Sequence, residues 1–455
     1  MLKLPMPENI TRNSENKIQN PISGLDKMVR FADMNPSLIS TEEINEFITK
    51  AKQESSQFRE KFENSLENKL YKNDPELNQW FENPENNQLI SKFTKDAIIL
   101  VEKMSASGLP GHDRRHVACD VISDLNCLQE ESITDFNQAA MIGALYHDVG
   151  RWSEIKLWGQ QLGGVLGVDH PKISFMFIKE IFKKYPDVPQ KLQDQVLYSI
   201  LVHQEGGGQG NFFAEFVQRG DREQLVGSEG IARFFAFDCG LDDRSIKTKV
   251  NNERRLVLPL PGKPEDTDLM HHIEFYMRNL YPLTGNNGPQ KAKELKIISG
   301  TFLYLSSTDE IRDQIFYPEI YRDQNNGSLP EGLKFKTPIS EEIWQQIKKG
   351  PSEDIRQHIE EIKKNNSNYS LISRIISSKG FSVVSRELEN IEKNINEFKD
   401  NTPESDRLKD GLAYEVVMML NQENNYRQTL NKIKETYPQD SIPSQMASLA
   451  SRIIL

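Results

Sequence analysis

GHDRRHVACDVISDLNCLQEESITDFNQAAMIGALYHDVGR, residues 111–151, is the stretch from which the rest of the chain is read, and it holds three of the eight histidines. Val117, Val121, Leu125 and Leu128 recur at helical spacing, which predicts a helix carrying His116. Ala139, Ala140, Ile142, Ala144 and Leu145 form a second, nearly all-apolar helix that ends on His147 and Asp148. An aspartate at a helix C-terminus faces the negative end of the macrodipole, and beside so apolar a helix it is partly buried, so it needs a cation. A divalent metal would supply one. By itself a His-Asp pair is more often a capped, solvated helix end. His116 shifts the balance, because imidazole and carboxylate together suit a borderline divalent ion such as Mn, Fe, Co or Zn.

The order HDRRH, apolar stretch, YHDVGR resembles the HD superfamily of metal-dependent phosphohydrolases, helical proteins whose signature is His, then His-Asp, then a later Asp around one metal. The resemblance implies an all-α fold, an HD-domain helical bundle, with His116, His147 and Asp148 as metal ligands. Two residues compete for the fourth place: Asp221 in FVQRGDREQLVGSEGIARFFAF and Asp238 in FAFDCGLDD. The run from Phe216 to Arg233 is similar to a pattern in small bacterial single-domain HD hydrolases whose Asp before Arg binds the metal, and this selects Asp221. Gln224 stands where that pattern usually has a second Asp, and Asp238 falls beyond it, as a helix cap.

The same resemblance assigns further roles. His170 and His203 join His147 and Asp148 as catalytic residues, through a second metal or as proton donors to the leaving oxygen; the plainer reading makes each a helix-terminus residue with a satisfied ring. Independently of the resemblance, Arg151, Arg222, Lys172 and Arg115 are candidate phosphate contacts, each alone more often a surface charge, with Arg151 and Arg222 foremost because they adjoin metal residues. Asp113, in the HDxxH pattern, is a candidate to orient a ligand imidazole. His203-Gln204-Glu205 partly resembles the HHE of cyclic-dinucleotide phosphodiesterases, but the GYP that should follow is missing, and that subclass is set aside. The implied cofactor is a divalent ion (Mn, Fe, Co, Ni, Zn or Mg, with Mn favoured). A two-histidine, two-aspartate set leaves positions open on such an ion, which is what a hydrolase needs to bind and acidify water.

Composition sets outer bounds. The 455 residues carry a net charge of −11 and a pI near 5.4, which argues against a general nucleic-acid-binding surface, since those depend on basic stripes. A small anionic substrate, a nucleotide above all, is compatible with a local cluster of Arg and Lys. No apolar run approaches a membrane span of roughly twenty residues, and the start MLKLPMPENITRNSENK has no secretory h-region, so a cytoplasmic protein is expected. Cys119, Cys127 and Cys239 lack CxxC spacing and read as buried thiols.

Four regions follow in order. Residues 1–89 form a mobile arm and an N-terminal helical extension, the latter opening at the STEEINEF cap; the stretch after it is broken at Asp74-Pro75 and Asn83-Pro84. Residues 90–308 are the span of the resemblance. Residues 309–337, rich in Asn, Gly and Pro, read as a linker. Residues 338–455 show helical periodicity without a catalytic motif, as in a small bundle that offers a surface to a protein partner. Two functions are therefore carried forward: hydrolysis of a phosphate ester or phosphoanhydride by metal-activated water, or nucleotide sensing and partner binding on a catalytically weak HD domain.

Overall fold

A residue pair such as Asp74-Pro75 ends one element and starts another, because proline cannot donate in a helix interior but is well placed in the first turn. Both such pairs do this here. Asp74 Oδ1 accepts from Leu77 N at 3.0 Å and opens a short helix, and Asn83 Oδ1 accepts from Glu85 N at 3.0 Å and opens a longer one. The computed structural model describes residues 41–65, 68, 74–105, 114–130, 135–150, 169–204, 207–223, 227–228, 230, 288–306, 340–364 and 403–454. Among them the only regular structure is helical, in thirteen helices.

These are α1 (Thr41–Glu63), α2 (Pro75–Phe81), α3 (Pro84–Ser105), α4 (Arg114–Glu130), α5 (Asp135–Tyr146), α6 (His170–Phe182), α7 (Gln190–Val202), α8 (Phe212–Glu223), α9 (Gly288–Ser306), α10 (Glu341–Lys349), α11 (Glu353–Lys364), α12 (Pro403–Thr436) and α13 (Ile442–Ile454). The protein is all-α, as its periodicity requires. Among the described residues no helix is long and apolar enough to cross a membrane. Cys119 and Cys127 are free and buried; Cys239 lies outside the described residues.

α5 is the centre. A helix apolar on all sides must be enclosed on all sides, and α5 is covered by α2, α3, α4, α7, α8 and α13, with every residue from Ala139 to Tyr146 buried. α4 runs beside it and is itself flanked by α3, α8, α12 and α13. The N-terminal extension joins this core: α1 lies on α6 and α7, with Phe58 against Phe175 and Phe62 against Tyr198, and Lys179 Nζ donates to Glu54 Oε2 at 2.8 Å.

The C-terminal region is joined to the same core. α13 rests on α4, α3 and α5 through Ile442, Met446, Ala447, Leu449, Ala450 and Ile454, while α12 runs along α9 and touches α4. Gln445 Nε2 donates to Ser91 Oγ at 2.7 Å, and Thr429 Oγ1 donates to Asn126 Oδ1 at 3.1 Å. One continuous set of buried apolar residues thus runs from α1 to α13. The arm at 1–22 and the linker at 309–337 lie outside the described residues.

Candidate metal centre

α4 supplies a stripe rather than a single ligand. His116, Asp120 and Asp124 are four residues apart, so they stack on one helix face, and their exposures are 3%, 1% and 1%. His147 and Asp148 sit in the turn that ends α5. Ser174 Oγ on α6 fixes that turn, accepting from Gly150 N at 2.8 Å and donating to His147 O at 2.7 Å. His170 occupies the first turn of α6, behind the cap Asp169, and His203 caps the C-terminus of α7; both are buried. Asp221 comes from α8.

The elements bring these side chains to one point. His116 Nε2 lies 2.7 Å from Asp148 Oδ2 and its Nδ1 lies 3.3 Å from Asp120 Oδ2. His147 Nε2 lies 3.4 Å from Asp120 Oδ2, and 3.9 Å from both Asp148 Oδ1 and Asp221 Oδ1. On the other side of Asp148, Oδ1 lies 3.0 Å from His170 Nε2 and 3.8 Å from His203 Nε2, and these two nitrogens are 3.1 Å apart. One donor atom each from His116, Asp120, His147 and Asp221 falls within 4.8 Å of all the others, and the same holds for His147, Asp148 and His203.

Hydrogen bonds to backbone carbonyls set the tautomers. His147 Nδ1 lies 2.5 Å from Ala144 O and donates to it, which leaves Nε2 as the ring atom turned to the carboxylates. Nε2 is surrounded by carboxylate oxygens and is without a hydrogen-bond partner. Buried polar atoms left without partners are a costly arrangement. A divalent cation resolves it, since donor atoms sharing an ion at about 2.1 Å lie roughly 3–3.4 Å apart, close to the separations seen. The residues present therefore fit such an ion.

His203 follows the same rule. Its Nδ1 donates to Ile200 O at 2.6 Å, which leaves a lone pair on Nε2, so the proton between it and His170 belongs to His170 Nε2. Burial, with His147 and His170 nearby, lowers the His203 pKa to about 3, which keeps this ring neutral. Asp221 is held below the usual carboxylate range: burial pushes it up, and the neighbouring imidazoles, His147 first, more than reverse this.

α8 is held in register by a buried ionic network. Arg219 donates to Glu223 Oε1 at 3.0 Å and to Glu130, and Lys291 of α9 bonds Glu223 Oε2 at 2.6 Å. The backbone of Gly220 lies directly on the Asp124 carboxyl, leaving no space for a Cβ. Burial and then Glu223 raise the Asp124 pKa well above its ordinary value, which favours the protonated carboxyl.

His116, His147 and Asp221 thus fall in one group with Asp120, and Asp148 falls with His203 in a second that shares His147, with His170 beside it. Arg222, half-buried, follows Asp221 on α8, and Lys172, half-buried beside His170, is engaged with Asp169 Oδ2 at 2.8 Å. Arg151, Asp113, Gln224, Asp238 and the side chain of Arg115 lie outside the described residues. His358 is exposed on α11, its Nδ1 donating to Asp354 O. Asp120 and Asp124 are what the motif reading passed over, although their four-residue spacing from His116 was in the sequence. No family model, curated protein or solved structure matches the chain.

Proposed function

We propose that the chain is a metal-dependent phosphohydrolase of the HD type, with His116, His147, Asp148 and Asp221 holding a divalent ion and a nucleotide or similar small phosphate ester or anhydride as substrate. The observation that carries the reading is His147 Nε2, buried, without a hydrogen-bond partner and ringed by the carboxylates of Asp120, Asp148 and Asp221. When bound, a divalent ion acidifies a water and neutralises charge developing on phosphoryl oxygens. Manganese is the preferred ion in this reading.

The chain's own groups divide the other tasks. Asp148 joins the two halves of the centre, one oxygen to His116 and the other to His170 and His203. His170 Nε2 holds the proton shared with His203, which makes it the group to protonate a leaving oxygen. Arg222, next to Asp221, is placed to meet a phosphate. A nucleotide-binding protein without turnover is the second reading. One observation favours it: Gln224 stands where the related hydrolase pattern has a second Asp.

Metal analysis of the purified protein, followed by hydrolysis assays with manganese on a nitrophenyl phosphodiester and a nucleotide panel, tests both. The expected result is about one divalent ion per chain, metal-dependent hydrolysis, and loss of both in Asp148→Ala and Asp221→Ala. Metal uptake with nucleotide binding and no hydrolysis would leave the second reading standing. Wild-type metal content in Asp148→Ala would remove the site assignment.

A further inference from the structure

We propose that Asp120 is a fifth ligand at this centre, and that the resulting carboxylate majority makes the site select manganese-like over zinc-like ions. The inference rests on the reading of the site as a metal centre and adds to it both a residue and a selectivity.

Asp120 lies one helical turn beyond His116 and is 1% exposed. Its Oδ2 is 3.3 Å from His116 Nδ1, a separation that would suit a carboxylate merely orienting a ligand imidazole. His147 separates the two roles. The same Oδ2 is 3.4 Å from His147 Nε2, the ring atom turned away from Ala144 O. An ion placed between them would take an electron pair from each. An oxygen that served only His116 would have no reason to face His147 as well. It is also Asp120 whose donor atom groups with those of His116, His147 and Asp221, while Asp148 reaches across to His170 and His203.

The consequence is chemical. Zinc is satisfied by four ligands in a tetrahedron. Carboxylate oxygens suit harder ions of higher coordination number, manganese among them. Three carboxylates stand around the two imidazoles, those of Asp120 and Asp221 in one group with both rings and that of Asp148 at 2.7 Å from His116, more oxygen than a zinc tetrahedron needs.

Asp120→Asn tests this, because the amide keeps the shape and an oxygen able to accept from His116 Nδ1–H while removing the charge. The metal-free full-length protein and the variant are titrated with Mn²⁺ and with Zn²⁺ under chelator competition, and thermal unfolding of each metal-free protein is recorded. Loss of an outer contact weakens metal binding about 10–100-fold. The expected result is a Mn²⁺ Kd raised by more than about 100-fold, a Zn²⁺ Kd raised by less than about 10-fold, and a higher unfolding temperature without metal, since one buried charge has left an acidic cluster. A Mn²⁺ Kd within about threefold of wild type overturns the proposal. So does equal weakening of both ions, the signature of a lost orienting contact. If the asparagine variant does not fold, Asp120→Ser is measured in its place by the same criteria. Failure of the wild-type protein to take up any divalent ion would instead refute the metal centre itself.

Discussion

Replacing Gly150 with alanine should separate the two halves of the centre without touching a ligand. A Cβ at this position would lie 2.6 Å from Ser174 N and 2.8 Å from Ile173 Cβ, and would also meet the carbonyl of His170. Two of these neighbours are backbone atoms in the first turn of α6, so they cannot swing aside as the end of a long side chain would. To restore ordinary contact the turn and the helix must part by nearly an ångström, roughly the difference between the 2.6 Å contact and van der Waals distance. That movement lengthens the Gly150 N to Ser174 Oγ and Ser174 Oγ to His147 O hydrogen bonds, and it draws His170 away from Asp148 Oδ1, now 3.0 Å from its Nε2.

Overpacking of this kind costs about 1–3 kcal/mol, and each of the two weakened hydrogen bonds adds roughly 1 kcal/mol, so a loss on the order of 3–5 kcal/mol is expected. Urea unfolding of the metal-free variant measures it, and Mn²⁺ titration reads the displacement of the site. Ser174→Ala separates the contributions, since it removes both hydrogen bonds without the clash and should cost about 2 kcal/mol. If Gly150→Ala unfolds within about 0.5 kcal/mol of wild type and binds metal equally well, the turn is not clamped on α6 and the reasoning fails.

Three further outcomes are expected. Asp74→Ala should cost about 1 kcal/mol as a lost helix cap; burial raises this carboxyl but Lys191 and the Leu77 N–H draw it below 3.8, so its contribution is present above that pH and fades as pH falls through the folded value, where variant and wild-type unfolding midpoints should converge. Glu415, fully buried on α12, has its pKa raised well above 4.5 by burial, so the unfolded chain ionises where the fold does not and stability falls as pH rises above 4.5. Glu415→Gln should therefore raise the unfolding temperature more at pH 8 than at pH 5, and an equal change at both would contradict this. Leu449→Ala, on the buried face of α13, should cost about 2–5 kcal/mol, and a chain ending at Tyr437 should bind a hydrophobic dye and resist proteolysis less than the full chain; unchanged proteolysis would mean that α13 contributes nothing to the core.

The helices themselves were legible because each is written locally. The STEEINEF cap, the Asp74-Pro75 and Asn83-Pro84 pairs and the periodic apolar residues of α4 and α13 are one-dimensional signals. What α13 would lie against was not. Ile442, Met446 and Leu449 state that this helix buries a face, and nothing in their spacing says that the face belongs on α4, more than three hundred residues earlier in the chain. The linker-like composition of 309–337 suggested a separate bundle, whereas the packing of α12 and α13 depends on surface shape, which sequence spacing does not encode.

Asp120 and Asp124 are a different case, because their signal was local and was outweighed by a habit of reading. A helix with one apolar stripe, here Val117, Val121, Leu125 and Leu128, invites the assumption that the neighbouring polar stripe faces water. Solvated helix faces, however, carry charges of both signs, with lysine and glutamate common. From His116 to Leu128 the only charged residues are these two aspartates, accompanied by Ala118, Cys119, Ile122 and Cys127. Such a helix has no face suited to water, and it has none in the fold: α3, α5, α8, α12 and α13 surround it, and every residue from His116 to Leu125 is buried. Two aspartates on a helix with no solvated side must each be neutralised, and the structure suggests a different means for each. Burial under the backbone of Gly220 favours the protonated form of Asp124, while Asp120, beside His147 Nε2, is matched by a metal ion in the proposal made above.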